Sequence, residues 1–236
     1  MAIYAVLGLA LAGTIADWLL FVLIPPLYAR CALSAHELMH LCGAAQVSLI
    51  YRLMMVLETP ICLGYREHRH IHLQHHRYTA TEQDPEFFQI QGGHMRALAN
   101  AMISPERSFV TYLRENGASR PFLFEASVRL CSFLLIAWLN PWIFLSYWLA
   151  LRLSIGFSAF LFHHMMHNRE GRYGTFPFRP PPVCDWLLRL LLGTKYVRIV
   201  YEHPAHHAWQ QVKSEYLPGL LEAYPPREKR TASALS

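Results

Sequence analysis

Two long apolar stretches dominate the pattern of hydrophobic and polar residues along this chain. Residues 1–24 are almost wholly apolar, with Asp17 as the one ionisable side chain, and a helix of this length can cross a bilayer core. Residues 122–162 form a second stretch that is too long for a single crossing. Because the turn-forming pair Asn140-Pro141 divides this stretch, we predict that it forms a helical hairpin within the membrane.

The segment 44–63 lies between these stretches and is harder to place. It is apolar enough to cross a membrane, but it contains Arg52 and Glu58. A crossing here would put the histidine-rich stretches before and after it on opposite faces of the membrane. We therefore expect the segment to dip into the membrane or to lie along its interface, with a helical stripe facing lipid or a core. The stripe consists of Val47, Ile50, Met54, Leu57 and Ile61.

These segments together predict one architecture. With the N-terminus outside, the first helix crosses the membrane inward, and the hairpin crosses it outward and back. Residues 163–236 then lie on the cytoplasmic side, as a cap and tail. We expect an all-α integral membrane protein with three to four transmembrane helices and a cytoplasmic histidine-rich cap, built as a single domain over residues 1–236. A division of residues 1–35 into two short helices would also satisfy this topology, although each would be short for a crossing.

Composition favours a membrane protein over an unusually apolar soluble enzyme. Apolar residues make up 53% of the chain, and charged residues make up 16%, against about a quarter in typical soluble domains. A signal peptide is disfavoured because no basic residue precedes the first apolar run. The net charge is +5, and the basic residues concentrate outside the apolar stretches, which marks those regions as cytoplasmic. No nucleic-acid-binding motif accompanies this charge, so we expect no nucleic-acid partner.

Ionisable residues within predicted crossings need partners. We count Asp17 and Arg152 as the ionisable residues within the predicted crossings. At 1.5 Å per residue, Asp17 lies about 10 Å and Arg152 about 15 Å from the cytoplasmic ends of their helices. Their side chains are long enough to bridge this difference in depth. We therefore hypothesise that they pair, the alternative being that either one faces a water-filled cavity.

Histidines supply the candidate chemistry. Thirteen of the fourteen histidines fall in four tight clusters, and His94 stands apart. So many imidazoles cannot be buried without leaving ring nitrogens unpaired, so they need either water or metal. The clusters are His36 and His40; His68, His70, His72, His75 and His76; His163, His164 and His167; and His203, His206 and His207.

Spacing within the clusters is typical of metal ligands on helices. Residues four apart share a helix face, which groups His36 with His40 and His163 with His167. The sequence His-Glu-Leu-Met-His around Glu37 also matches the zinc-protease pattern, in which this glutamate would be the general base. One zinc ion would leave the two His-x-x-His-His clusters unexplained, because zinc takes at most four protein ligands. Nine or ten imidazoles instead suit two metals with open positions for oxygen, although histidine alone does not select iron.

The chain resembles the membrane fatty acid desaturase family in these histidine clusters. The resemblance rests on the ordered boxes His-Glu-Leu-Met-His, His-Leu-Gln-His-His-Arg-Tyr-Thr followed by Asp84-Pro85-Glu86, and His-Pro-Ala-His-His, and it covers roughly residues 30–220. It implies two non-haem iron ions, O2 as co-substrate and an external electron donor such as ferredoxin or a cytochrome. One clear helix precedes the first box, where the family usually has two.

Positions that match the family motifs define the expected site. The resemblance implies that the metal ligands are His36, His40, His72, His75, His76, His163, His167, His203, His206 and His207. The neighbouring residues Glu37, His68, Asp84, Glu86 and Glu202 are candidates for positions around the ligands, where carboxylates commonly orient imidazoles. We interpret His70 and His164 as non-ligands, and His94 as a loop histidine.

The function implied by this resemblance is oxygen-dependent desaturation of a fatty acyl chain. The substrate would be linked to a lipid, coenzyme A or a carrier protein, and a separate protein would supply electrons. A hydroxylase or ketolase acting on a lipid, alkane or carotenoid is the near alternative. A non-catalytic membrane protein that binds or transports metal is the alternative from another class. The small, unfused chain suggests a bacterial inner membrane, with the histidine clusters facing the cytoplasm.

Overall fold

The computed structural model describes residues 1–43, 45–58 and 63–223, and within these ranges most of the chain is helical. This all-α architecture confirms the predicted fold class, apart from one short strand. The elements are α1 (Ala2–Leu11), α2 (Leu20–Leu41), α3 (Leu49–Glu58), α4 (Tyr65–Tyr78), α5 (His94–Met102), α6 (Ser104–Asn116), α7 (Arg120–Leu139), α8 (Pro141–Ala159), β1 (His167–Arg172), α9 (Pro182–Leu192), α10 (Thr194–Tyr201), α11 (His203–Ala208) and α12 (Leu220–Ala223).

Three helical segments among the described residues are long and apolar enough to cross a membrane. They are Asp17–Leu41, Arg120–Leu139 and Pro141–Met165. Large apolar side chains cover the outer surfaces of the last two segments; Trp138 and Trp142, for example, are 80% and 72% exposed. Exposed apolar surface of this extent is stable in lipid and unfavourable in water, so the chain is an integral membrane protein.

The N-terminal apolar stretch differs from the single helix predicted over residues 1–24. Helix α1 ends at Leu11, and Gly13 turns the chain at a φ of +69°, a conformation that glycine adopts without steric cost. Helix α2 then begins at Leu20 and continues to Leu41. At 1.5 Å per residue α1 is about 15 Å long, half of a bilayer core, whereas α2 at about 33 Å is long enough to cross.

The membrane-embedded core forms where α2 packs against α8, with α1 and α7 on either side. Its fully buried side chains include Ile3 and Leu7 from α1, Leu20 from α2, and Tyr147 from α8. Because α2 and α8 meet along much of their length, the histidines at their adjoining ends are held near each other. The core thus positions the first and third histidine clusters.

Asn140 forms the junction between α7 and α8, at the position where the sequence predicted a turn. Its side-chain oxygen accepts hydrogen bonds from the backbone amides of Trp142 at 3.0 Å and Ile143 at 3.1 Å.

We expect Asn140→Ala to lower the free energy of unfolding by about 1 kcal/mol, because these amides lose their cap. Thermal unfolding in detergent measures the change. Asn140→Asp, which keeps a capping oxygen, should remain close to the parent protein, and equal loss in both variants would contradict the capping role.

Charged residues in the spans have partners other than those predicted. Arg152 donates to Glu106 Oε2 at 2.9 Å and to the Met102 carbonyl at 3.1 Å, while Asp17 is exposed. The hypothesis that Asp17 and Arg152 pair is therefore wrong, because α6 supplies a carboxylate closer to Arg152.

Helix α7 also contains two buried charged residues that the sequence count omitted. Glu125 is 1% exposed and Arg129 is 8% exposed. Glu125 accepts a hydrogen bond from the Tyr65 amide at 3.1 Å and lies 3.6 Å from Arg52. Arg129 donates to the Leu63 carbonyl at 3.4 Å. These contacts connect α7 to the start of α4, which contains the second histidine cluster.

The described part of segment 44–63 contains α3, a helix of ten residues. Its length of about 15 Å is half of a bilayer core, so α3 is too short to cross a membrane. Within the predicted stripe Val47 is buried and Ile50 is 73% exposed, while Ile61 lies outside the described residues. The buried side chains of α3 are those of Val56 and Glu58.

Candidate metal centre

Five histidines from three helices form the first of two adjacent groups. Helix α2 contributes two of them near its C-terminal end, α4 contributes two, and α11 contributes one. One ring nitrogen from each residue lies within 4.8 Å of those from the other four, and the members are His36, His40, His72, His76 and His206. Within the group, His72 Nε2 lies 2.8 Å from His40 Nε2 and 3.1 Å from His76 Nε2.

A second group lies directly beside the first and centres on His167. His167 Nε2 is 3.0 Å from His75 Nε2, 3.2 Å from His203 Nε2 and 3.3 Å from His207 Nε2. All four residues are buried. They come from α4, from the start of β1, and from α11.

The two His-x-x-His-His clusters each contribute to both groups. In α4, His72 and His76 belong to the first group while His75 belongs to the second. Adjacent residues point about 100° apart around a helix of 3.6 residues per turn, whereas residues four apart share a face. The His-His pair therefore divides between the two groups, and the same division occurs in α11. This explains why the motif contains neighbouring histidines.

Protein acceptors fix the orientation of every ring in the second group. Each Nδ1 faces an oxygen: the Asp84 carboxylate at 2.9 Å from His75, the Phe162 carbonyl at 2.6 Å from His167, and the Ile199 carbonyl at 3.3 Å from His203. When Nδ1 donates its proton outward, Nε2 presents an unprotonated lone pair to the centre of the group. Such outer contacts are typical of metal-bound histidines.

Thr79 provides the oxygen that faces the fourth ring of the second group, and it was not among the residues predicted from the sequence. Its hydroxyl donates to the His75 carbonyl at 2.8 Å, so its oxygen can accept from His207 Nδ1 at 3.1 Å. The available signal was its position at the C-cap of α4, directly after the second histidine box. The partner, however, is far away in sequence.

The nitrogen arrangement fits bound metal. Two nitrogens that bind one metal at about 2.1 Å each are separated by about 3 to 4 Å, which agrees with the distances within both groups. Lone pairs directed at each other at this separation would otherwise repel. Buried ring nitrogens also lack a hydrogen-bond partner among the described residues, namely His36 Nδ1, His40 Nδ1, His76 Nδ1, His163 Nδ1 and His206 Nε2.

Burial keeps most of these imidazoles neutral, which is the form that binds metal. Burial is the largest cause that lowers the pKa of His203 to about 3, and the charges that neighbouring histidines would take on protonation contribute to the same shift. The same causes lower the pKa of His72, His76, His167, His206 and His207. His75 is the exception: burial lowers its pKa, but the hydrogen bond and charge of Asp84 outweigh burial and raise it.

We expect the metal-free protein to lose stability as the pH falls from about 7 to about 5. The unfolded chain takes up protons near pH 6.5, whereas a buried residue such as His203 stays neutral down to a pH of about 3. Because the unfolded state then binds more protons, each such histidine destabilises the fold by up to about 1.4 kcal/mol per pH unit below 6.5. Thermal unfolding in detergent across this range measures the effect. A constant unfolding temperature would contradict the buried neutral state.

His163 lies at the edge of the second group and faces a carboxylate. His163 Nε2 is 3.6 Å from Glu86 Oε1, and Glu86 Oε2 is 3.9 Å from His75 Nδ1. These three residues form a further set whose atoms lie close enough to hold a metal ion. His163 is therefore adjacent to the other predicted ligands, but its nearest charged neighbour is Glu86.

The chain departs from a regular helix between His163 and His167, contrary to the helical spacing assumed from the sequence. Residues Phe160–Met165 form a wider π-helical turn, and His167 begins β1. The bond from His167 Nδ1 to the Phe162 carbonyl joins residues five apart, in keeping with this wider turn. Such turns occur frequently at functional sites, and here the turn directs His167 into the second group.

Two of the predicted orienting carboxylates contact other residues instead. Glu37 accepts hydrogen bonds from the backbone amide and the hydroxyl of Ser214, both at 2.9 Å, and lies 3.2 Å from Lys195. Glu202 lies 3.1 Å from Arg179. Glu37 thus connects α2 to the C-terminal part of the cap, which does not suit the general-base role of the zinc-protease pattern. Asp84, by contrast, contacts the His75 imidazole directly.

The remaining histidines lie outside both groups. The ring centre of His68 is 6.4 Å from that of His72, so it lies next to the first group. His70 is exposed and its ring is near Tyr112. His94 begins α5 rather than lying in a loop, and its Nδ1 is 2.9 Å from His164 Nε2 on the surface.

An apolar cavity of about 670 Å³ leads to both histidine groups. This volume is within the range of about 300 to 1,000 Å³ that is usual for ligand sites. Its walls include Ala29 and Leu33 of α2, Ser154 of α8 and Leu188 of α9, and it reaches the imidazoles of His36 and His75, among others. A long hydrocarbon chain is the kind of ligand that such a lining accommodates.

Comparison with known proteins agrees with this geometry. The family model described as fatty acid desaturase matches residues 13–232, which is most of the chain. The search of curated proteins found no match, and the search of solved structures found none either. The family match spans α2, the hairpin and every histidine in the two groups. This chain belongs to the fatty acid desaturase family.

Proposed function

We propose that this protein is a membrane-bound, oxygen-dependent fatty acyl desaturase with two non-haem iron ions. The observation that supports this most strongly is the pair of adjacent histidine groups at an apolar cavity. His36, His40, His72, His76 and His206 would hold one iron, and His75, His167, His203 and His207 would hold the other, with His163 at its edge. Bound iron supplies the oxygen-dependent oxidation that removes hydrogen from an unactivated methylene.

The residues of the chain have three tasks in this proposal. The Asp84 carboxylate, the Phe162 carbonyl and the Thr79 hydroxyl keep imidazole nitrogens aimed at the metals. The cavity walls exclude water from the site. The same walls hold the acyl chain in one register, so that a single carbon–carbon bond lies next to the metals.

Electron balance requires a partner protein. Forming a C=C bond from two methylenes releases two electrons and two protons, whereas reducing O2 to two waters takes up four of each. A separate donor such as a ferredoxin or a cytochrome would supply the other two electrons, and solvent the other two protons. We place the histidine groups and this donor on the cytoplasmic side, because the basic residues concentrate outside the spans, and we place the protein in a bacterial inner membrane.

Mass spectrometry of total acyl chains tests the proposed reaction. Cells expressing the protein together with an electron donor are compared with cells expressing the His75→Ala variant. We expect a species lighter by two hydrogens that is absent from the variant, and fragmentation then locates the new double bond. A species heavier by one oxygen would instead assign hydroxylation to the same centre. Unchanged acyl chains, with the protein in the membrane and loaded with metal, would contradict the proposal.

A further inference from the structure

One side of the apolar cavity opens on the outer surface of the membrane-spanning helices. A residue that lines the cavity and is also exposed marks a place on the rim, where the cavity wall meets the outer surface. Phe21 of α2 is such a residue at 40% exposure, as are Leu153 at 40% and Phe157 at 52% on α8. Leu161 and Met165, in the turn that follows α8, are also at the rim. All five belong to the segments that are long and apolar enough to cross the membrane.

The rim extends far from the histidines along α2. Phe21 precedes His36 by fifteen residues, which corresponds to about 22 Å along a helix at 1.5 Å per residue. Phe21 lies near the start of the span Asp17–Leu41, and His36 near its end. The opening thus runs along the hydrocarbon depth of the bilayer, from the start of this span to the histidine end.

The lining has no positive charge that would recognise a water-soluble carrier. Of the described residues that line the cavity, none is a lysine or an arginine, and Glu86 is the one carboxylate. Thioesters of coenzyme A or of a carrier protein bring phosphate groups, which proteins usually bind with basic side chains or helix N-termini. An opening toward lipid needs no such group, because a hydrocarbon chain already in the bilayer is not transferred through water.

We propose that the acyl chain enters sideways from the bilayer while still esterified in a membrane lipid, and not as a thioester delivered from water. The inference rests on the proposed function, since it names the carrier of the acyl substrate. In this arrangement the headgroup stays outside the cavity, while Leu188 and Leu191 of α9 form part of the apolar wall around the chain. The chain then lies along α2 and α8, past the two histidine groups.

Photolabelling tests the entry route separately from catalysis. The protein, reconstituted in lipid nanodiscs, is irradiated with a phospholipid that has a diazirine in its acyl chain, or with a diazirine acyl-coenzyme A. We expect the phospholipid probe to label peptides containing Phe21 and Leu153. Leu153→Trp, which narrows the opening, should reduce this labelling about tenfold, the change that corresponds to about 1.4 kcal/mol. Leu149→Trp is the matched control, because Leu149 lies on the same helix at 39% exposure and does not line the cavity.

Turnover in the same nanodiscs distinguishes failure of this inference from failure of the proposed function. With a reducing system present, we expect isotope-labelled phospholipid chains to be desaturated when no thioester is added. Desaturation of the thioester alone, or cavity labelling by the thioester probe alone, would overturn lateral entry and leave the desaturase assignment intact. Labelling by the phospholipid probe with no product from either substrate would overturn the assignment as a desaturase and leave the entry route standing.

Discussion

Alanine at His75 or at His206 is expected to abolish product formation while leaving the protein in the membrane. His206 belongs to the first histidine group and His75 to the second, so each variant removes an imidazole from a different one of the two proposed metal sites. Mutating even an outer contact of a metal ligand typically costs 10- to 100-fold in affinity or activity, so loss of a ligand should reduce product by more than about 100-fold.

Membrane insertion is expected to be unaffected in both variants, because neither histidine lies in the three candidate spans. His94→Ala is the matched control. His94 is exposed, and it contacts His164 rather than a member of either group. The assay is acyl-chain mass spectrometry with membrane-fraction immunoblots as the measure of insertion. Product formation by either alanine variant at the parent level would contradict the assignment of two cooperating metals.

Asp84→Asn is expected to reduce metal affinity and activity by about 10- to 100-fold. Asp84 Oδ2 accepts from His75 Nδ1 at 2.9 Å and from the Ala80 amide at 3.1 Å, and its Oδ1 accepts from the Glu86 amide at 2.8 Å. An amide group has one oxygen where the carboxylate has two, so it cannot accept all three hydrogen bonds. Even where the amide oxygen still accepts from His75 Nδ1, the hydrogen bond loses the charge of the carboxylate, so it holds the His75 Nε2 toward the second group more weakly.

Glu82→Gln provides the control for this prediction. Glu82 is two residues away, its side chain is 84% exposed, and its contact is with Arg169 at 3.5 Å. Metal titration of the purified variants and rates of product formation are the two measurements. An Asp84→Asn variant that binds metal as tightly as the Glu82→Gln control would show that Asp84 does not orient His75.

Local patterns in the sequence predict the helices and the boxes well. Hydrophobic length alone indicates the α7–α8 hairpin, and Asn140 indicates its turn, because both signals come from neighbouring residues. The same is true within each box, where residues four apart share a helix face. The boundary between α1 and α2 was not predicted, because a single glycine turn at Gly13 interrupts an otherwise uniform apolar run.

The distribution of histidines between the two groups depends on packing and was not available from spacing. His206 joins histidines of α2 and α4 in the first group, whereas His203 and His207 join His75 and His167 in the second. Only the crossing of these helices determines which imidazoles face each other.

Contacts between side chains far apart in the sequence could not be predicted either. Glu37 is 177 residues from Ser214, and Arg152 is 46 residues from Glu106. From the sequence alone, Glu37 was therefore assigned to the neighbouring imidazoles, and Arg152 was paired with Asp17 because Glu125 had been left out of the count. Long-range contacts of this kind are decided by tertiary structure, for which charge and spacing along the chain give no direct signal.

Metal content of the purified protein tests the central claim most directly. Elemental analysis of protein purified from iron-supplemented cells should give about two irons per chain, since two separate groups of histidines converge. His75→Ala and His206→Ala should each fall toward one, and His94→Ala should keep both. A single zinc per chain, or an iron content that neither alanine variant changes, would contradict the two-metal centre.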